Sequence, residues 1–119
     1  PFTGAIVLPN RDALRRELDA RDIREGRAAA AADILGAEID RYRAGGPYAG
    51  EFPERWLPAG LAIVDEPFTE QNGLINSTMK IVRNKVEEYF RDRIDYLYTP
   101  EGRELRNDKN LASLRKMVE

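Results

Sequence analysis

A chain of 119 residues has the length of a single domain, expected here to run over 1–119 with a modest core of its own. A formal charge of −2 gives no reason to expect nucleic acid or an anionic membrane as main partner. With no cysteine and no histidine, disulfides, thiolate metal sites and Ser–His or Cys–His nucleophiles built from this chain alone are excluded. No apolar run approaches the roughly 20 residues that span a bilayer, and no signal peptide is visible. The expected location is therefore cytoplasmic, with peripheral membrane association allowed. The chain opens on Pro1, inside a strand expected from Phe2 to Leu8, which reads as a piece of something longer.

Gly4-Ala5-Ile6-Val7-Leu8 is an apolar run closed by Pro9-Asn10, as in a strand covered on both faces. Asn10 is a good N-cap and Asp12 complements the helix dipole, so a helix is expected over about 11–20, with Leu14 and Leu18 at i, i+4. The charged stretch 20–27, with Gly26, breaks it. A longer helix is expected over about 28–43, with Ala31, Leu35, Ile39 and Tyr42 on an apolar stripe. The segment 44–50 is a loop by composition. Pro53-Glu54-Arg55-Trp56 fits a single helical turn, with Trp56 expected at the core edge. Leu61-Ala62-Ile63-Val64 is the second clear strand, and Leu74-Ile75 with Met79–Ile81 suggests a hairpin-like element. One continuous helix is expected over about 83–98, with Val86, Tyr89, Phe90, Ile94 and Leu97 on one stripe. Thr99-Pro100-Glu101-Gly102 stops it. A last short helix is expected in 110–119 through Leu111, Leu114 and Met117.

Short strands mixed with helices, without a regular βαβ rhythm, point to an α+β fold: a small, largely antiparallel sheet flanked by helices. The chemistry-bearing signals are few. No phosphate-cradling glycine loop, metal cluster or glycosidase-like carboxylate pair stands out. Glu87, Glu88 and Asp92 read as a solvated helix face. Lys80 stands apart, because it follows the Gln71-Asn72-Gly73 turn and lies between Met79 and Ile81. A compact ammonium suits phosphate or carboxylate oxygens, although a lysine on a hairpin is more often simply solvated.

The run Glu66-Pro67-Phe68-Thr69, Asn72-Gly73-Leu74, Thr78-Met79-Lys80-Ile81 and Arg83 resembles the last core motif of the AMP-forming adenylating enzymes. It is most similar to the long-chain fatty acyl-CoA and acyl-carrier-protein synthetases. Gly4–Asn10 with its following helix resembles the first full strand of that family's small C-terminal domain, and Ile34–Ile39 has a counterpart there. The resemblance covers most of the chain to about Tyr98, and the tail 99–119 is less typical. The chain departs from the family pattern at Gln71, often glutamate, at Asn76-Ser77, often Thr-Pro, and at Val82, often basic.

The resemblance implies an acid–thiol ligase whose large N-terminal domain binds ATP, Mg and the fatty acid. This chain would then be its C-terminal lid, inactive alone. Lys80 would be the catalytic lysine of adenylation, with Asn72, Gly73, Thr78 and Arg83 in the loop near substrate and AMP. No metal ligand is expected in the lid. Coenzyme A or the phosphopantetheine of a carrier protein would be the acceptor, making acyl carrier protein a possible partner beside the N-terminal domain and the fatty acid. The rival reading is a small non-catalytic binding or scaffolding module.

Overall fold

The computed structural model describes residues 3–119, apart from the side chain of Glu54. Phe2, included in the first-strand expectation, lies outside the described residues. In chain order come β1 (Gly4–Val7), α1 (Arg11–Ala20), α2 (Arg27–Asp40), a 3-10 turn (Glu54–Trp56), β2 (Gly60–Ile63), α3 (Arg83–Tyr89), α4 (Arg91–Leu97) and α5 (Asp108–Val118).

The expected largely antiparallel sheet is corrected. Among the described residues there are two short strands, and they pair in parallel, with Gly4 opposite Gly60 and Val7 opposite Ile63. The reason is the connection. Parallel strands need a long crossover, and α1, α2 and the loop after them supply it. The fold is helix-rich. The hairpin-like element shrinks to one antiparallel bridge, Ile75 with Ile81.

Local signals account for the starts of α1, α2 and α5. The Asn10 side chain accepts from Ala13 N at 2.9 Å, and the Asn107 side chain accepts from Asn110 N at 2.8 Å, so both helices start on a side-chain cap. Gly26 takes a left-handed φ of 63° just before α2. The expected 83–98 helix is divided at Phe90, whose backbone leaves the helical region at φ −104°, ψ 25°. The division separates two duties. Val86 and Phe90 are buried with Val64 and Leu74, while Leu97 packs so closely over β1 that a Cβ on Gly4 would lie 2.4 Å from it.

Among the described residues the buried apolar side chains accordingly form two clusters rather than one shared core. The larger holds Leu14, Leu18, Ala28, Ala31, Ala32, Leu61, Ile63, Leu114, Met117 and Val118. The smaller holds Val64, Leu74, Val86 and Phe90, with Ile6 and Phe68 against it. Each fully buried leucine contributes about 1.5–3 kcal/mol relative to exposure. Trp56 is not a core-edge anchor: it is 60% exposed. Its 3-10 turn follows Pro53 and is held by Trp56 N donating to Pro53 O, a contact that needs no indole burial.

Candidate functional site

The small cluster fixes the segment 65–82. Leu74 is fully buried, and its carbonyl accepts from Val82 N at 2.9 Å. Upstream, Asn72 Oδ1 accepts from Thr69 N and Leu74 N, both at 3.1 Å, and Asn72 Nδ2 donates to Pro67 O at 2.9 Å. Thr69 Oγ1 in turn accepts from Asn72 N at 3.2 Å. Asn72 thus ties its own turn together, as asparagine side chains do when they stand in for backbone. Gly73 supplies the left-handed φ of 78° that the turn requires.

Past Ile75 the chain rises into an exposed tip. Asn76 N donates to Lys80 O at 2.9 Å, and Met79 N donates to Asn76 O at 2.9 Å. Asn76 Oδ1 accepts from three donors: Thr78 N at 3.0 Å, Thr78 Oγ1 at 2.7 Å and Lys80 N at 3.0 Å. Met79 holds φ at 64°, a conformation a methionine rarely takes. The backbone of Lys80 is therefore held at both its N–H and its carbonyl. Its side chain is exposed and makes no hydrogen bond or ion pair among the described residues. Met79 and Ile81 beside it are 70% and 63% exposed.

Of the residues singled out from the sequence, Thr78 and Lys80 share the tip, and Asn72 and Gly73 form the turn below it. Arg83 opens α3 with a fully exposed guanidinium 3.7 Å from Glu87. It lines a groove of about 480 Å³ with Gly4, Ile6, Ile81, Val86 and Arg91 rather than joining Lys80's turn. The sequence reading missed Asn76. Its signal was present, because asparagine followed by Ser-Thr is a side-chain-to-backbone turn former. At the base of the segment, Glu66 accepts from the Tyr89 hydroxyl and holds that phenol above its usual pKa. No group of three or more Asp or Glu side chains among the described residues is arranged to hold a metal ion. No helix among the described residues is long and apolar enough to cross a membrane.

Comparison with known proteins shows a kinship with acyl-activating enzymes. Over about 80% of its length the chain is related to acyl-CoA and acyl-carrier-protein synthetases, in line with a C-terminal domain of the adenylating enzymes. It is 32% identical over 103 residues to a probable acyl-activating enzyme 16, chloroplastic, of Arabidopsis thaliana, covering 80% of this chain and 13% of the relative. It is 31% identical over 97 residues to a chloroplastic long-chain-fatty-acid–[acyl-carrier-protein] ligase of the same plant, covering 81% and 11%. Long chain acyl-CoA synthetase 8, also from Arabidopsis thaliana, is 26% identical over 99 residues, covering 82% and 14%. The chain thus spans between 11% and 14% of the length of these relatives. No protein-family model matches it, and no solved structure matches it closely enough to count.

Proposed function

We propose that this chain is the C-terminal lid of an AMP-forming long-chain fatty acid–thiol ligase and that Lys80 is its catalytic lysine. In the first half-reaction a fatty acid carboxylate attacks the α-phosphorus of ATP, giving acyl-adenylate and pyrophosphate. In the second, a thiol of coenzyme A or of a carrier protein's phosphopantetheine displaces AMP. ATP, its magnesium and the fatty acid would sit on the larger part of the enzyme. Negative charge gathers at the α-phosphate oxygens during the first step. A preorganised cation there stabilises the transition state more than the ground state.

The observation that supports this reading is the state of Lys80. Its ammonium is free among the described residues, while its backbone is clamped by Asn76 and its ribbon is anchored through buried Leu74. A side chain that is held at its root and unpartnered at its end is suited to meet an anionic substrate. The apolar flanks Met79 and Ile81 would help exclude water when the lid closes.

The test is to measure the two half-reactions separately in the full-length enzyme carrying this chain. Lys80→Ala should slow acyl-adenylate formation by roughly 10²–10³-fold, the loss typical of one preorganised donor. Thioester formation from preformed acyl-adenylate should survive. Equal losses in both steps, or normal adenylation, would return Lys80 to the status of a surface lysine and favour a binding module.

A further inference from the structure

We infer that Asn76 is a positioning residue for adenylation, acting through Lys80, an inference that rests on the role proposed for that lysine. The turn before Lys80 is built on Asn76. One oxygen, Asn76 Oδ1, gathers Thr78 N, Thr78 Oγ1 and Lys80 N within 3.0 Å. The backbone of the same residue closes the other side, with Asn76 N donating to Lys80 O and Asn76 O accepting from Met79 N, both at 2.9 Å.

These five bonds converge on a loop that is otherwise exposed and carries a strained residue, Met79 at φ 64°. Nothing buried holds the tip, since Ser77, Thr78, Met79, Lys80 and Ile81 are all exposed. Its shape therefore depends on Asn76. With Lys80 N and O both bonded to Asn76, the direction of the Lys80 Cα–Cβ bond is set, and only its own side-chain torsions remain to be ordered when substrate arrives. Preorganisation of this kind matters because a displacement of about 1 Å in a catalytic group can cost on the order of 10² in rate. Asn76 does not touch substrate in this account; it aims the residue that does.

Threonine and valine at position 76 separate this role from a merely structural one, because they share a shape and differ in the hydroxyl acceptor. In the full-length enzyme, Asn76→Val and Asn76→Ala should slow acyl-adenylate formation by roughly 10–10²-fold. The loss should fall on the maximal rate more than on the half-saturating ATP concentration, because the ammonium is misaimed rather than absent. Asn76→Thr should retain most of the rate, since a hydroxyl can accept in the same kind of turn, more weakly. Thioester formation from preformed acyl-adenylate should stay within about twofold in all three, because Lys80 has no part in that step. Amide exchange at Lys80 in the 119-residue chain should quicken at least about tenfold in Asn76→Val. Should Lys80→Ala slow adenylation while Asn76→Val and Asn76→Thr both behave as wild type, or equally badly, this inference fails and the role of Lys80 stands. Should Lys80→Ala leave adenylation unchanged, both fail together.

Discussion

Asn110 binds Ile63 as a neighbouring strand would. Its Oδ1 accepts from Ile63 N at 2.9 Å, and its Nδ2 donates to Leu61 O at 2.9 Å, along the edge of β2 turned away from β1. Arg93 of α4 continues the row, with Nη1 donating to Ile63 O at 2.8 Å and Nη2 to Asn110 Oδ1 at 2.7 Å. Two side chains thus do the work of a third strand. Buried backbone groups must find partners, and here α4 and α5 provide them, which is why the sheet ends at two strands.

Removing that surrogate should be costly. Asn110 is fully buried, and Asn110→Ala strands Ile63 N–H and Leu61 C=O, each at about 1–3 kcal/mol. Chemical denaturation should show a loss of about 3 kcal/mol or more. Asn110→Asp should not rescue, because it turns the donor facing Leu61 O into an acceptor. A loss under about 1 kcal/mol would mean that water replaces the side chain at this edge.

Phe90 sits where α3 gives way to α4, 5% exposed, with its ring centroid 5.9 Å from that of Phe68. Truncation to alanine empties the centre of the small cluster, and a loss of about 3–5 kcal/mol is expected in thermal or denaturant melts. Because that cluster also carries Leu74, the Lys80 ribbon should loosen before the helices melt. Faster amide exchange at Leu74 and Val82 than at Leu114 in Phe90→Ala would register this, and uniform exchange would contradict it.

Helices were legible in the sequence because capping and periodicity are local. Asn10 and the Leu14–Leu18 pair announced α1 within a few residues, and the 83–98 stripe marked a helical span that the structure divides into α3 and α4, with Tyr89 exposed. The sheet was not legible, because its second edge is completed by Asn110, 47 residues from Ile63, and a lone asparagine within a tail helix carries no sign of that partner. The same limit explains Trp56. A large aromatic suggests burial, yet only tertiary contacts decide it, and this one is 60% exposed. At the site, the turn residues Asn72 and Gly73 declared themselves, whereas the division at Phe90 follows from packing against two clusters and has no glycine or proline to mark it.

Acid should weaken the link between α2 and the loop before α5. Asp33 accepts a hydrogen bond from Arg106 Nε at 3.0 Å, and chiefly for that reason its carboxyl is held below the ordinary value. A depressed folded-state pKa adds stability that is complete above the unfolded-state value and lost as pH falls through the folded one. Wild type should therefore exceed Asp33→Asn in stability at neutral pH, and the gap should close below about pH 4. Both partners are solvent-exposed, so the gap should also shrink in high salt. A gap that persists at pH 2 would point to packing rather than charge.

The chain by itself should bind nucleotide poorly. Lys80 offers one cation on an exposed ribbon, and Arg83 and Arg91 lie with Glu87 along a separate groove. Calorimetric titration with ATP or an acyl-adenylate analogue should give a dissociation constant weaker than about 1 mM, no better than roughly −4 kcal/mol. Micromolar binding would reveal a complete nucleotide site within these 119 residues.

Arginine should be a poor substitute for Lys80. The clamp from Asn76 fixes where the side chain begins, so a longer side chain with a planar fork delivers its charge to a different point and demands bidentate geometry. An ammonium is a compact charge with three donors, and the target of adenylation is charge spread over phosphate oxygens. On the role proposed for Lys80, Lys80→Arg should therefore slow acyl-adenylate formation by roughly 10-fold or more in the full-length enzyme. Its melting temperature should stay unchanged, because Lys80 is exposed and surface substitutions away from special features lie within about ±0.5 kcal/mol. Lys85→Ala, a nearby exposed lysine on α3, should leave the step within about twofold. The comparison separates a role for position from one for charge alone. If Lys80→Arg adenylates at the wild-type rate, any mobile cation suffices, and the aim set by Asn76 loses its meaning. If Lys85→Ala matches the loss in Lys80→Ala, the reaction senses the local positive charge around this ribbon rather than one aimed ammonium.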